Sequence, residues 1–126
     1  MQSIEPKHIL IVDDSSEQRL LLKSILEAKG YTAECTANGR EALILLRSRK
    51  RKPQTILLDL NMEIMDGFEF RQNQIADPLL RDIPVVVVSG EDDMSVIRAQ
   101  VNTVVIQKPL NISLLLSVVE RSSRLH

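Results

Sequence analysis

The stretch ILIVDD, residues 9–14, places four apolar residues directly before two carboxylates. Short continuous apolar runs, separated by segments of helical spacing, are typical of strands buried on both faces of a parallel sheet. Three more runs also end at a reactive side chain: residues 56–58 before Asp59, 85–88 before Ser89, and 104–107 before Lys108. Because ligands bind beyond the carboxyl ends of such strands, the four ends predict one site for a divalent cation and a phosphoryl group.

Length and composition restrict the class of protein. The chain has 126 residues, of which 44% are apolar and 26% charged, with a net charge of −1. These values predict one domain over residues 1–126, with a structured core over about residues 7–122. The near-zero charge gives no overall attraction to nucleic acid or membrane. A single cysteine, a polar start and the absence of a long apolar run predict a cytoplasmic protein that does not insert into membranes.

The apolar pattern alternates five times between short runs and helical spacing. Ser15 is expected to cap the first helix, with Gln18 completing a capping box, and Asn38 and Asn111 are expected to cap the second and last helices. The third helix, over residues 68–75, has a weak apolar face. Five strand–helix units with short connections predict an α/β fold, a doubly wound five-stranded parallel sheet with five helices.

The acidic residues determine the predicted chemistry. Asp14 alone could simply cap the first helix. Asp59 has no such capping role, and a third carboxylate at a neighbouring strand end therefore favours a cation site. Mg²⁺ prefers one or two carboxylates together with water and phosphate oxygens. A carboxylate held beside Mg²⁺ can attack phosphorus and form an aspartyl phosphate.

Two further side chains suit a phosphoryl group at the same edge. Lys108 supplies a mobile positive charge, and Ser89 supplies a small hydroxyl that can donate to an oxygen. Neither residue alone would be informative. Their position at the ends of two more predicted strands is what makes the combination specific.

These residues resemble the response regulator receiver domain of two-component signalling. The resemblance is carried by Asp13, Asp14, Asp59, Ser89 and the Lys108-Pro109 pair, with matching spacings over nearly the whole chain. Residues 59–67, DLNMEIMDG, are similar to the family pattern D-x-x-M-P-x-M-D-G, with Glu63 in place of proline. The resemblance implies the flavodoxin-like strand order 2-1-3-4-5.

The resemblance also implies a role for each site residue. Asp59 would accept a phosphoryl group from a histidine kinase or phosphotransfer protein, and Ser89 and Lys108 would contact the phosphoryl oxygens. Asp14, Asp59 and the backbone carbonyl of Asn61 would hold Mg²⁺, with Asp13 acting through water. The Lys108-Pro109 bond would be cis. The protein would catalyse only its own phosphorylation and dephosphorylation, and would signal to an unknown downstream effector without an attached output domain.

Two positions depart from the family pattern. Val105 stands where the family usually has tyrosine or phenylalanine, and valine has no ring to turn inward. Coupling is therefore expected through the loop at residues 89–90 and the fourth helix. Glu63 is either a neutral surface substitution or a further carboxylate that alters Mg²⁺ affinity.

Two surfaces could bind partners. The basic residues of segment 47–52 fit a solvated helix end better than a nucleic-acid patch, so no direct DNA binding is expected. Spare apolar residues suggest a partner or homodimer surface on the fourth helix, fifth strand and fifth helix: Met94, Val96, Ile97, Leu114 and Val118.

Three other functions fit this sequence pattern less well. A phosphatase similar to the haloacid dehalogenase-like family would need a second aspartate at the position of Asn61, and an inserted cap. A flavodoxin-like nucleotide or flavin binder would need a glycine-rich phosphate loop where the chain has Asp13 and Asp14. A receiver that no longer takes phosphate is disfavoured because every acceptor-site residue is present.

Overall fold

The five apolar runs form one parallel sheet. The computed structural model describes residues 7–60, 62, 64–90 and 103–124. The strands are β1 (His8–Val12), β2 (Thr32–Thr36), β3 (Thr55–Asp59), β4 (Val85–Ser89) and β5 (Thr103–Gln107). Their order is β2-β1-β3-β4-β5, and each neighbouring pair is parallel. The predicted doubly wound α/β fold with strand order 2-1-3-4-5 is confirmed.

Four helices lie in the described part of the chain: α1 (Ser16–Ala28), α2 (Gly39–Ser48), α3 (Gly67–Ala76) and α4 (Ile112–Arg124). The expected fourth helix falls on residues 91–102, which lie outside the described residues, so α4 is the expected fifth helix. The third helix is one residue longer at each end than expected. Among the described residues no helix has the length and apolar character needed to span a membrane.

The helix caps follow the sequence closely, with one exception. Ser15, Asn38 and Asn111 each accept a hydrogen bond from the backbone N–H three residues later, at 3.2, 2.9 and 3.0 Å. The expected capping box at α1 is wrong in its second half. The Ser15 N–H donates to Asp13 Oδ1 at 2.9 Å instead of to the Gln18 side chain, which draws the first turn of α1 towards the strand end.

The sheet separates two apolar layers. The side chains of β1, β3 and β4 are almost all buried, as continuous apolar runs predict. One layer includes α2 residues and Phe70 of α3, and the other includes residues of α1 and α4. Ile112, Leu115 and Val119 share the apolar spacing of α4, but only Leu115 and Val119 are buried, whereas Ile112 at the start of the helix is 47% exposed. Helix α3 is unusual because Arg71 and Gln74 are fully buried beside Phe70.

Candidate functional site

The ends of β1 and β3 bring three carboxylates together. One carboxylate oxygen from each of Asp13, Asp14 and Asp59 lies within 4.8 Å of the other two. Asp13 and Asp59 are buried, whereas Asp14 is exposed. This is the cluster that the sequence predicts, and its hard oxygen donors fit a divalent cation such as Mg²⁺.

Asp13 is held in place by its surroundings on three sides. Its N–H donates to the Thr36 carbonyl at 3.1 Å, its carbonyl accepts from Arg19 at 2.8 Å, and its carboxylate accepts from Ser15. Burial raises the pKa of the Asp13 carboxyl, and the negative charge of Asp59 adds to this effect. The Ser15 N–H and Lys108 act in the opposite direction. A bound cation would favour the ionised form, because it supplies the positive charge that burial makes necessary.

Asp59 is the last residue of β3, and the loop that follows it brings the start of α3 close to the end of this strand. A Cβ atom at Gly67 would lie 2.7 Å from the Asp59 carbonyl oxygen, so only glycine allows α3 to begin this close to β3. The Gly67 N–H donates to the Leu60 carbonyl at 3.0 Å. On the other side, the Gly39 N–H of α2 donates to the Met65 carbonyl at 3.1 Å. The loop after β3 is thus attached to both α2 and α3.

Lys108 approaches the cluster from β5. Its Nζ lies 3.7 Å from Asp59 Oδ1, and its backbone N–H donates to the Ser89 carbonyl at 2.9 Å. The Lys108-Pro109 peptide bond is cis, as the resemblance implies. Ser89 is buried at the end of β4, which runs directly beside β3. The four strand ends therefore meet at one edge, as predicted.

The arrangement offers a nucleophile, a cation site and a positive charge within a few ångströms. Asp59 is the carboxylate adjacent to both the other acids and Lys108. It is therefore the group best placed to attack phosphorus while the charge on the transferring group is neutralised. Asn61, the expected backbone ligand, and Glu63 lie outside the described residues.

Sequence reasoning missed the residues that support the site. Gly67 was noted only as part of a motif, although its lack of a side chain is what allows α3 to approach Asp59. Arg19 binds the Asp13 carbonyl but carries no sequence signal, because half-exposed arginines are common on helices.

Comparison with known proteins agrees with this geometry. Residues 9–120 match the family described as response regulator receiver domain. The chain belongs to this family. Among curated proteins, it is 34% identical over 110 residues to the polar-differentiation response regulator DivK of Brucella anthropi, covering 85% of this chain and 88% of that protein. It is also 31% identical to the sensor histidine kinase CheAY of Helicobacter pylori, covering 93% of this chain but 15% of that protein.

Solved receiver structures are similar in both fold and sequence. The signal receiver domain of a signal transduction histidine kinase from Syntrophus aciditrophicus is 36% identical, with a TM-score of 0.83, covering 94% of this chain and 90% of that one. The chemotaxis response regulator CheY4 of Vibrio cholerae is 30% identical, with a TM-score of 0.81, covering 94% and 99%. The chain is therefore a receiver domain of two-component signalling.

Proposed function

We propose that this receiver is a phosphorylation-dependent signalling switch in which Asp59 takes a phosphoryl group from the phosphohistidine of a histidine kinase or phosphotransfer protein. The observation that carries the proposal is the position of Asp59. Its buried carboxylate lies 3.7 Å from the Lys108 ammonium and within 4.8 Å of two further carboxylates. A nucleophile between a cation site and an ammonium suits phosphoryl transfer.

The proposed reaction moves one phosphoryl group from a histidine nitrogen to a carboxylate oxygen of Asp59. A carboxylate oxygen of Asp59 attacks phosphorus, the bond between phosphorus and the histidine nitrogen breaks, and its electron pair remains on the imidazole. Lys108 follows the phosphoryl oxygens as they approach Asp59, and the Ser89 hydroxyl donates to one of them. Asp14, Asp59 and the Asn61 carbonyl would hold Mg²⁺, with Asp13 acting through water, and the bound ion would neutralise charge on the transferring group.

The proposed chemistry is limited to the protein's own phosphoryl group. Attack of water on the phosphorus of the aspartyl phosphate releases inorganic phosphate and restores the Asp59 carboxylate, and no other substrate is turned over. The competing phosphatase hypothesis requires a second acid two residues after the nucleophile, and the sequence has Asn61 there. The flavin- or nucleotide-binder hypothesis is opposed by the three clustered carboxylates, which repel a phosphate unless a cation is bound.

Incubation with acetyl phosphate and Mg²⁺ tests the proposal directly. Intact-mass analysis should show the gain of one phosphoryl group in the wild-type chain and none in Asp59→Asn. Asp82→Asn is a suitable control because Asp82 is an exposed carboxylate outside the cluster, and this variant should still be phosphorylated. A wild-type chain that gains no mass, or an Asp59→Asn variant that does, contradicts the proposal.

Output is proposed to pass through β5 and α4 together with residues 91–102, towards an effector protein or a second copy of the chain. Val104, Ile112 and Leu114 are between 43% and 48% exposed, so β5 and α4 present apolar surface that a partner could cover. Analytical ultracentrifugation with and without beryllofluoride would distinguish the two kinds of partner. Dimerisation that beryllofluoride induces and Leu114→Ser abolishes supports the homodimer. A chain that stays monomeric with and without beryllofluoride favours an effector protein.

A further inference from the structure

A fully buried arginine links α3 to β5 at a distance from the strand ends that form the site. The Arg71 side chain donates from Nε to Thr103 Oγ1 at 3.0 Å and from Nη1 to Gln74 Oε1 at 2.7 Å. Gln74 in turn donates to the carbonyls of Leu80 and Ile83, at 3.0 and 3.1 Å. We call Arg71, Gln74 and Thr103 the Arg71 bridge.

Stability alone does not account for the Arg71 bridge. Arg71 is 0% exposed, its Nη2 has no hydrogen-bond partner among the described residues, and none of their carboxylates forms an ion pair with it. Burial lowers the pKa of Arg71 to about 10, so the side chain remains a cation at neutral pH. A charge in the protein interior is commonly less favourable than an apolar side chain of similar size.

The bridge connects β5, which ends next to Lys108, to α3, the helix whose first residue packs against the end of β3 at Asp59. Helix α3 begins at Gly67, whose missing side chain lets it lie against the Asp59 carbonyl. Strand β5 begins at Thr103 and ends immediately before Lys108. A shift of β5 along or away from β4 would change the distance between Lys108 and Asp59. The same shift would break the hydrogen bond between Arg71 and Thr103.

We propose that Arg71 is a positioning residue that holds β5, and with it Lys108, in place relative to Asp59. The catalytic consequence rests on the proposed function, whereas the effect on β5 does not. Thr103 also lies on the same face of β5 as Val105, because residues two apart on a strand share a face. The bridge therefore reaches β5 beside the position where the family's usual aromatic residue is absent.

Arg71→Met tests the proposal because methionine keeps apolar volume and removes the hydrogen bonds. Amide hydrogen exchange in β5 should accelerate on the order of tenfold, since a hydrogen bond to a charged group is worth at least this much. Phosphorylation by acetyl phosphate should slow several-fold. Mg²⁺ affinity should stay at the wild-type value, because the three carboxylates are untouched. The melting temperature should fall, because the buried Oε1 of Gln74 and the Oγ1 of Thr103 lose their donor. A merely structural role would lower the melting temperature and leave the phosphorylation rate of the folded protein unchanged.

Thr103 supplies a matched pair of variants should Arg71→Met fail to fold. Thr103→Val removes the acceptor oxygen and should reproduce the faster β5 exchange, while Thr103→Ser keeps a hydroxyl and should behave as wild type. In the double variant Arg71→Met with Thr103→Val, the phosphorylation rate should be no lower than in Arg71→Met alone.

Amide exchange in β5 and phosphorylation by acetyl phosphate distinguish a failure of the positioning role from a failure of the proposed function. A wild-type chain that takes no phosphoryl group overturns the proposed function, and exchange in β5 still decides the role of the bridge. If the amides of β5 exchange at the wild-type rate in both Arg71→Met and Thr103→Val, the positioning role is overturned. Faster exchange with an unchanged phosphorylation rate overturns its catalytic consequence.

Discussion

The ammonium of Lys108 lies 3.7 Å from Oδ1 of Asp59, which joins the end of β5 to the end of β3 by charge alone. The Asp59 side chain is 7% exposed and that of Lys108 is 41% exposed. The lysine can therefore move towards an arriving phosphoryl group while the carboxylate stays fixed. The same carboxylate also belongs to the cluster with Asp13 and Asp14, whose oxygens fit a divalent cation.

Lys108→Met should slow phosphorylation of Asp59 by acetyl phosphate by about 100-fold, the scale expected for loss of one charge-stabilising group. Mg²⁺ affinity should rise, because a positive charge that competes for Asp59 has gone. Mass spectrometry over time and titration with Mg²⁺ measure the two effects. Lys50→Met is the control, since Lys50 is an exposed lysine beyond the end of α2. An unchanged rate in Lys108→Met would remove the lysine from the mechanism.

Asp13→Asn should weaken Mg²⁺ binding by about 10- to 100-fold, as loss of an outer ligand does at other metal sites. Without Mg²⁺ the same variant should melt at a higher temperature than wild type. The reason is that burial and the charge of Asp59 raise the pKa of the Asp13 carboxyl, so its ionised form opposes folding.

The destabilising effect of the Asp13 charge on the folded protein should depend on pH. Asp13 ionises more readily in the unfolded chain, so its unfavourable contribution grows as pH rises above 3.8 and is absent well below that value. The difference in melting temperature between Asp13→Asn and wild type should therefore be largest at neutral pH and shrink towards pH 3.8. A difference that is independent of pH would contradict this origin.

The site was predictable from the sequence because each reactive residue follows a short, mostly apolar run. Buried parallel strands have such runs, and their carboxyl ends share one edge, so Asp13, Asp59, Ser89 and Lys108 converge without further information. The caps at Ser15, Asn38 and Asn111 were equally clear, because the bond that each side chain accepts lies within its own helix.

The Arg71 bridge was not predictable for the opposite reason. Arginine and glutamine are usually exposed, and their presence in α3 indicated only a weak apolar face. Arg71 is buried because Thr103, 32 residues later in the chain, supplies an acceptor. Ile112 is the opposite case, an apolar residue that is exposed. It fits the apolar spacing of α4, but it lies at the start of the helix and is 47% exposed.

Gly67→Ala should destabilise the fold by about 2 to 3 kcal/mol, because the new Cβ would lie 2.7 Å from backbone atoms of both Asp59 and Leu60. Backbone atoms cannot rotate away as a side chain can. Gly90→Ala is the matched control, since its Cβ would meet only Lys108 Cβ at an ordinary 3.8 Å and should be nearly neutral. Urea denaturation measures both, and equal stabilities of the two variants would contradict the close approach.

Asp77 ties the end of α3 to α2, and this link should weaken in acid. Its carboxylate accepts from the Leu79 N–H at 2.9 Å and from Arg47 Nε at 3.2 Å. The Leu79 N–H, followed by Arg47, lowers the pKa of the Asp77 carboxyl below 3.8. Because the folded pKa is depressed, the stabilisation is present above pH 3.8 and is lost as pH falls through the folded pKa.

Asp77→Asn should therefore lower the melting temperature slightly at neutral pH, and the difference from wild type should disappear at pH values well below 3.8. The expected effect is small because Asp77 is partly exposed and its partner Arg47 is about half exposed. Added salt should reduce only the part that comes from Arg47, because the Leu79 hydrogen bond carries no opposite charge to screen. Asp82→Asn is the control, since Asp82 is an exposed aspartate nearby in the same connection. A difference that persists in strong acid would mean that the asparagine changes packing, not charge.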